Sequence, residues 1–204
     1  MTKPLGVILA GGLARRMGGG DKGRLSLGDQ SIIEHVIARI APQVSGLVIN
    51  ANGDPDRFAD LGLPVVADSI DGFAGPLAGV LAGLDWGVEN GAEHIVTVAA
   101  DTPFLPLDLV PKLQSAAADY PMSLAATPDT ERGKNRHPTF GLWPVALRDD
   151  LRDALNDGLR KVVLWTDKHG CGTAMFNDQP FDPFFNVNTP EDLEIARAMI
   201  GKVQ

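Results

Sequence analysis

The chain has 204 residues, of which 44% are hydrophobic and 22% are charged, and its 26 acidic and 18 basic side chains give a formal charge of −8. This composition is typical of a soluble globular protein, and the length favours a single domain over residues 1–204. The acidic balance argues against general nucleic-acid binding, and the lone Cys171 excludes an intrachain disulfide and a Cys-x-x-Cys motif. No stretch approaches the length of a membrane span, so we predict a cytoplasmic protein with no membrane partner.

The predicted elements alternate between strands and helices along the chain. Residues 5–10 (LGVILA) are apolar on both faces and end at two glycines, as in a central parallel strand. A helix follows at 31–44, where isoleucine and valine recur at helical spacing. In chain order, we then predict strands at 47–49, 63–67, 94–100, 122–126, 138–143 and 184–187, and helices at 76–86, 107–118, 144–156 and 159–168. A last helix begins at Thr189, because Pro190 and two acidic residues make a favourable first turn.

This alternation predicts an α/β fold with a mostly parallel sheet. Right-handed crossovers place helices on both faces of such a sheet, which gives a three-layer α/β/α, Rossmann-like architecture. Residues 127–137 (TPDTERGKNRH) are polar and basic, and we predict a surface loop there.

Polar residues or glycine follow four of the predicted strands. Gly11, Asn50, Asp68 and Asp101 each stand where such a strand ends. Ligands of open parallel sheets bind beyond the carboxyl ends of the strands, so these four positions predict a common site. The alternative is that polar residues end strands in any protein, and it is weaker for four positions together than for one.

Residues 9–23 (LAGGLARRMGGGDKG) give the strongest sequence signal, because six of the last 13 are glycine. Glycine lets successive backbone N–H groups approach a phosphate, and Arg16 and Lys22 can add charge-assisted hydrogen bonds. Residues 1–24 carry five basic side chains and one acidic side chain, whereas the rest of the chain carries 13 basic and 25 acidic side chains. The segment therefore indicates capture of a small anion, and the alternative is a flexible glycine loop with solvated cations.

Two common phosphate-binding motifs do not account for this segment. A P-loop requires Gly-Lys-Ser/Thr, but Lys22 stands between Asp21 and Gly23. Gly18, Gly20 and Gly23 match the spacing Gly-x-Gly-x-x-Gly, yet they lie well past the strand end and open no predicted helix. No acidic residue follows at the distance expected for a ribose contact, which argues against a dinucleotide-dependent dehydrogenase.

The pattern Leu-Ala-Gly-Gly…Arg-Met-Gly…Asp-Lys resembles the signature of nucleotidyltransferases that use a nucleoside triphosphate. Six further segments match in order and span nearly the whole chain: VINANG (48–53), VVADS (65–69), GPLAG (75–79), AADTPF (99–104), RHPTFGLW (136–143) and FNVNTPEDL (185–193). Together they most resemble the molybdenum cofactor guanylyltransferases, which make molybdopterin guanine dinucleotide, and they imply the nucleotide-diphospho-sugar transferase type of fold. Ala14 departs from the pattern, since many superfamily members have Ser or Thr there, but backbone N–H groups can still cradle phosphate.

The resemblance also implies roles for individual residues. It assigns catalysis to Arg16, Lys22 and Asp101, with Lys22 on the nucleotide phosphates and Asp101 as the ligand of Mg²⁺. A carboxylate at a strand end suits this ion, which prefers hard oxygen ligands. Asn186 and Asn188 stand two apart in what we predict to be the last strand, so they share one face and are implied on the pterin side, or else belong to a polar edge strand. The nucleotide contacts implied are Leu9, Ala10, Gly11, Gly12, Lys22, Asn50, Asp68 and Asp101.

The reaction that the resemblance implies is in-line attack by the terminal phosphate of molybdopterin on the α-phosphorus of GTP, with pyrophosphate leaving. The nucleophile is already an anion, so positioning and charge neutralisation by Mg²⁺, Lys22 and Arg16 suffice. The implied partners are GTP, the molybdopterin cofactor and, less directly, molybdoenzymes or their chaperones.

Three alternatives stay open at this point. A cytidylyltransferase would use CTP on the same pterin, a sugar-nucleotide pyrophosphorylase would share only the first motif, and a noncatalytic nucleotide-binding chaperone would hand the cofactor to partner enzymes. A basic cluster within 127–137 either meets the pterin phosphate or belongs to a solvated loop. Its members are Arg132, Lys134, Arg136 and His137.

Overall fold

A computed structural model of the chain describes residues 2–11, 21–70 and 75–203. The strands, in chain order, are β1 (Leu5–Leu9), β2 (Ser26–Leu27), β3 (Gln30–Ser31), β4 (Leu47–Asn50), β5 (Val65–Val66), β6 (His94–Ala99), β7 (Met122–Asp129), β8 (Gly133–Pro144) and β9 (Cys171–Met175). The helices are α1 (Ile32–Ile40), α2 (Pro76–Glu89), α3 (Leu109–Ala116), α4 (Arg148–Asn156), α5 (Val162–His169) and α6 (Pro190–Val203). In the described ranges no helix is long and apolar enough to cross a membrane.

Seven strands form one sheet in the order β5-β4-β1-β6-β8-β7-β9, and β2 and β3 form a separate small hairpin. The pairs β5–β4, β4–β1, β1–β6 and β7–β9 are parallel, whereas β8 runs antiparallel to both of its neighbours. The prediction of a mostly parallel sheet is confirmed. Because β4, β1 and β6 lie side by side and point the same way, their carboxyl ends meet at one edge of the sheet.

Successive side chains of β1 point to opposite faces of the sheet, and each face carries its own layer of helices. Ile8 packs in a core with residues of α1 and α3, and Val7 packs in a second core with residues of α2, α4 and α5. Both side chains are fully buried, as a strand covered on both faces requires. The three-layer α/β/α prediction is therefore confirmed, and α6 packs in a third, smaller core against the β2–β3 hairpin.

The predicted surface loop at 127–137 is wrong, because these residues extend β7 and β8 into a hairpin. The turn between the two strands uses the Asp129 carboxylate, which accepts the backbone N–H groups of Glu131 and Arg132, at 2.9 and 2.7 Å. Gly133 follows with a φ of +75°, a conformation that glycine adopts readily. The extension is largely solvated, so its polar composition carries no signal of a buried strand.

The predicted strand at 184–187 is also wrong. Phe184 is buried among the rings of His137, Phe140 and Phe176, with centroid distances of 4.3, 4.8 and 5.3 Å. The backbone N–H of Val187 donates to the carbonyl of Asp101 at 2.9 Å, without a continuing ladder. The apolar run is thus explained by aromatic anchoring of an irregular segment.

Three strands escaped prediction: the two-residue strands β2 and β3, and β9, which has glycine and alanine at Gly172 and Ala174. Its Gly172 lies so close to α3 that a Cβ there would stand within 1.9 Å of the Ala116 carbonyl oxygen. With glycine required for this close packing, β9 has only one β-branched residue, Thr173, of the kind by which strands are recognised.

Helix α2 packs on the sheet through glycines four residues apart. A Cβ on Gly83 would lie 2.7 Å from Val7 Cγ2 and 2.9 Å from Ile95 Cδ1, so the helix axis approaches two strands closely. At Gly87 the corresponding approaches, to Ile95 and Val145, are both 3.0 Å. The absence of side chains at these positions sets the distance between helix and sheet.

Replacing Gly83 by alanine is therefore expected to destabilise the protein. Glycine to alanine inside a helix ordinarily stabilises by about 1 kcal/mol, but forcing a methyl group into a full core costs about 1–3 kcal/mol. Urea unfolding followed by circular dichroism should show a lower midpoint for Gly83→Ala. Gly87→Ala is the comparison, and its midpoint should fall less, because a Cβ at Gly87 would lie farther from its neighbours. A stabilised Gly83→Ala would show that α2 can move away from the sheet at no cost.

Candidate active site

The carboxyl ends of β1, β4 and β6 are joined by backbone hydrogen bonds that continue past the strands. Ala10 donates to the Asn50 carbonyl at 2.8 Å, and Ala100 donates to the Leu9 carbonyl at 3.1 Å. Two adjoining hollows open to solvent at this edge, and their volumes, with the adjoining open space included, are about 350 and about 750 Å³. Leu9 and Asp101 line both hollows.

The smaller hollow contains the end of the glycine-rich segment. Ala10, Asp21, Lys22, Gly23, Ile33, Phe58 and Ala100 line it with the two shared residues. Asp21 pairs with Arg57 at 2.9 Å, and Arg24 pairs with Asp60 at 2.7 Å. Both partners lie on the short 3₁₀ helix Pro55–Leu61, so two ion pairs hold the chain on either side of Lys22.

Lys22 and Asp101 face each other across this hollow. The Lys22 ammonium donates a hydrogen bond of 2.7 Å to Oδ1 of Asn188 and lies 4.0 Å from Oδ2 of Asp101. The side chains of Lys22 and Asp101 are only 21% and 22% exposed. Burial raises the pKa of the Asp101 carboxyl, and the Lys22 charge opposes that shift. A half-buried carboxylate with one cation near it is suited to receive a second positive charge.

The larger hollow contains the ends of β4 and β5. The Asn50 amide donates to Asp68 Oδ1 at 3.0 Å, and the Asn52 amide donates to Asp68 Oδ2 at 2.8 Å. The Asp68 backbone N–H in turn donates to Asn52 Oδ1 at 2.8 Å. Both oxygens of the Asp68 carboxylate are therefore fixed, and its remaining lone pairs can accept hydrogen bonds from a ligand. Gly79 of α2 makes room for Asn50, because a Cβ there would stand within 2.3 Å of Asn50 Oδ1.

The two asparagines near the carboxyl terminus reach the same site from an irregular segment. Asn186 lines the larger hollow, and its Oδ1 accepts a 2.8 Å hydrogen bond from the Thr102 hydroxyl. Asn188 meets Lys22, as described above. The Asp192 carboxylate accepts the backbone N–H groups of Asn188 and Thr189, both at 2.9 Å. Asn186 and Asn188 do not share the face of a strand as predicted, because the chain forms no strand there, but both side chains lie at the site.

The structure brings together most of the residues that the sequence nominated. Gly12 and Arg16 lie outside the described residues. Those that line the two hollows or contact a residue lining them are Leu9, Ala10, Gly11, Lys22, Asn50, Asp68, Asp101, Asn186 and Asn188.

Four residues were missed by sequence reasoning: Asn52, Arg57, Thr102 and Asp192. Three of them stand in the quoted segments VINANG, AADTPF and FNVNTPEDL, which is where a signal was present. Arg57 lies after the VINANG segment, where the sequence offered no signal for it.

The basic cluster of the β7–β8 hairpin is largely engaged within the protein. Arg136 pairs with Asp167 at 2.7 Å, and Lys134 donates to Thr173 at 2.9 Å. Burial lowers the pKa of His137, which favours a neutral imidazole near pH 7. The hairpin therefore offers less free positive charge than its sequence suggests.

Metal binding at this site would depend on the Asp101 carboxylate together with the phosphates of a bound substrate. Across residues 2–11, 21–70 and 75–203, no group of three His, Cys, Asp or Glu side chains converges as a metal site would require. Mg²⁺ is commonly held by one or two carboxylates plus substrate phosphates, which is compatible with a single buried carboxylate. Burial raises the pKa of the Cys171 thiol to about 11, so little of the reactive thiolate form is present near pH 7.

Comparison with known proteins identifies the family of the chain. A family model for the MobA-like NTP transferase domain matches residues 6–169. A crystal structure of molybdopterin-guanine dinucleotide biosynthesis protein A from Archaeoglobus fulgidus superimposes with a TM-score of 0.70, covering 97% of this chain and 99% of that one at 21% identity. The fold and the matched model together define a nucleotidyltransferase of the MobA-like class.

Two relatives narrow the class further. A protein of Bradyrhizobium sp. (strain ORS 278) is 52% identical over 199 residues, covering 95% of this chain and 92% of the relative. A protein of Mesorhizobium japonicum is 48% identical over 200 residues, covering 96% of this chain and 95% of the relative. Both are called molybdenum cofactor guanylyltransferase. The chain belongs to the molybdenum cofactor guanylyltransferase family, which confirms the resemblance drawn from its motifs.

Proposed function

We propose that the protein transfers GMP from GTP to the terminal phosphate of molybdenum-bearing molybdopterin. An oxygen of that phosphate attacks the α-phosphorus, a P–O–P linkage forms, and the bond from the α-phosphorus to the β-bridging oxygen breaks. The products are molybdopterin guanine dinucleotide and pyrophosphate. The observation that carries the proposal is the 4.0 Å approach of Lys22 and Asp101 at the end of the glycine-rich segment in a member of this family.

Lys22 is the residue that meets the nucleotide phosphates. One of its three ammonium hydrogens is taken by Asn188, which leaves two for phosphate oxygens. Its position is fixed by that hydrogen bond and by the ion pairs of Asp21 and Arg24 on either side. A cation held in place before the reaction stabilises developing negative charge without reorganising during it. Arg16 supplies a second cation in this proposal.

Asp101 is the residue that would hold Mg²⁺ together with the substrate phosphates. Its buried oxygen ligands fit this hard cation, and Lys22 alone leaves its charge only partly compensated. When bound, the ion would neutralise phosphate charge and help to align the reacting groups.

The nucleoside occupies the β4–β5 side of the larger hollow in this proposal, away from Asn186. Asp68 is a fixed acceptor for N–H or O–H donors, and Asn50 stands beside it at the end of β4. Leu9, Ala10 and Gly11 provide backbone groups at the end of β1, with Gly12 continuing that stretch. The acceptor phosphate approaches from the side of Asn186 and Asn188.

The base assignment is tested by ligand-induced stabilisation. With Mg²⁺ present, GTP is expected to raise the melting temperature, whereas CTP and ATP are not, because binding to the native state stabilises it by mass action. At a ligand concentration 100 times the dissociation constant the gain is about 2.7 kcal/mol. Pyrophosphate release with GTP, Mg²⁺ and molybdopterin is the matching activity measurement.

Each other outcome selects a different function. Pyrophosphate release with CTP in place of GTP would make the protein a cytidylyltransferase. Binding of GTP and molybdopterin without release would favour the noncatalytic chaperone. The cytoplasm as the place of this activity, and molybdoenzymes or their chaperones as recipients of the product, are further parts of the proposal.

A further inference from the structure

Thr102 lies directly behind the site and is completely buried. Its hydroxyl Oγ1 stands 2.8 Å from Oδ1 of Asn186 and 3.4 Å from Oδ1 of Asp101. A hydroxyl has one proton to donate, and the 2.8 Å distance is the usual length of such a bond, whereas 3.4 Å is beyond it. The Asn186 carbonyl oxygen therefore takes the proton.

This bond decides which end of the Asn186 amide faces the ligand. With Oδ1 turned to Thr102, the NH₂ group is left on the side of the larger hollow, which Asn186 lines. The opposite orientation would leave the hydroxyl proton only its long contact to Asp101. The terminal torsion of an asparagine is broad and roughly two-fold, so without a partner the amide would sample both orientations.

The backbone of the segment is held by other contacts. The Val187 N–H donates to the Asp101 carbonyl at 2.9 Å, and the Val187 side chain is fully buried. The Asp192 carboxylate holds the N–H groups of Asn188 and Thr189. Loss of the Thr102 hydroxyl would thus free the Asn186 amide and leave its main chain in place.

We propose that Thr102 is a positioning residue that makes Asn186 a hydrogen-bond donor to the anionic phosphate of the acceptor substrate. The inference rests on the proposed function, because it assumes that the acceptor phosphate lies beside Asn186. A carbonyl oxygen in that place would repel the anion, so the orientation of one amide affects acceptor binding and not nucleotide binding.

Thr102→Val tests the inference, since it removes the hydroxyl and keeps the shape of a buried side chain. The KM for molybdopterin is expected to rise about tenfold, the effect of one hydrogen bond. The KM for GTP and the dependence on Mg²⁺ are expected to stay at wild-type values. Thr102→Ser, which keeps a hydroxyl, is the matched control and should restore the KM for molybdopterin. Thermal melts of both variants check that the fold is retained.

A double-mutant cycle with Asn186→Ala separates positioning from a general structural effect. If Thr102 acts through Asn186, adding Thr102→Val to Asn186→Ala changes the KM for molybdopterin no further. An undiminished effect in that background would overturn the inference. Equal rises in the KM for GTP and for molybdopterin would also overturn it.

Direct binding distinguishes failure of the inference from failure of the proposed function. Molybdopterin binding to the full-length protein without GTP, followed by tryptophan fluorescence, should weaken in Thr102→Val and recover in Thr102→Ser. If the wild type binds molybdopterin but releases no pyrophosphate, the proposed reaction is wrong and this comparison still decides the role of Thr102. If the wild type does not bind molybdopterin, both are wrong.

Discussion

Replacing Lys22 by alanine is expected to lower kcat for pyrophosphate release by about 10²–10³-fold, the effect of removing one preorganised charge donor from a transition state. Lys22 is held by Asn188 and faces Asp101, so its ammonium is in place before the phosphates react. The fold should persist, because the flanking ion pairs of Asp21 and Arg24 do not involve Lys22. Steady-state pyrophosphate release and a thermal melt measure the two quantities.

Lys3→Ala is the matched control for the loss of one lysine charge. Lys3 is exposed and donates to the Pro42 carbonyl at 2.8 Å, near the amino end of β1 and away from the site. Its turnover should equal that of the wild type. An unchanged kcat in Lys22→Ala would show that Lys22 does not bind the reacting phosphates. The approach of Lys22 to Asp101 would then no longer support the proposed function.

The second large effect is expected when Asp101 is replaced by asparagine. The kcat should fall by at least about 10²-fold, because a neutral amide is a poor ligand for Mg²⁺. The same change is expected to leave the unliganded protein as stable as the wild type or more stable. Burial raises the pKa of Asp101, so the native state binds a proton more tightly than the unfolded state does.

The sign of the pH dependence follows from this difference in proton binding. Between the ordinary carboxyl pKa and the raised value the native state binds more protons, so the wild-type free energy of unfolding falls as pH rises through that window. The Asp101→Asn variant has no carboxyl group to titrate at this position, so its free energy of unfolding does not show this fall. Its stability relative to the wild type should therefore increase with pH across the window and then stay level. Urea unfolding at a series of pH values measures the difference.

Two further measurements make the Asp101 prediction specific. Mg²⁺ with GTP should raise the melting temperature of the wild type more than that of Asp101→Asn, because the ion stabilises only a site that keeps its carboxylate. Asp108→Asn, an exposed carboxylate that pairs with Lys112 on α3, is the control and should match the wild type in both respects. Full activity of Asp101→Asn with Mg²⁺ would refute the assignment of the metal ligand.

The strand ends were predictable because they follow from a local pattern. Asn50, Asp68 and Asp101 each follow a short apolar run, and parallel strands that lie side by side must bring such positions to one edge. The prediction needed no knowledge of strand order beyond the adjacency of β5, β4, β1 and β6. The glycine-rich segment was noticeable for a related reason, since glycine lets a backbone approach an anion closely.

The reach of Asn186 and Asn188 into the site was predicted with the wrong local structure. The motif predicted them at the candidate site, where the structure has them, whereas the alternation of apolar residues predicted a strand that the chain does not form. Their positions depend on the packing of Phe184 against His137 and Phe140 and on the Thr102 hydroxyl, which are contacts between residues distant in sequence. Periodicity carries no information about such contacts.

By itself the sequence determined the α/β class, the mostly parallel sheet, the family and the edge of the sheet that holds the candidate site. These follow from short-range patterns of apolar residues, glycines and motif segments. Only the tertiary structure decided that 127–137 is a hairpin, that Lys22 faces Asp101 at 4.0 Å, and that Asn52 and Thr102 orient neighbouring polar groups. Those features depend on distances between side chains far apart along the chain, which folding fixes and no local pattern records.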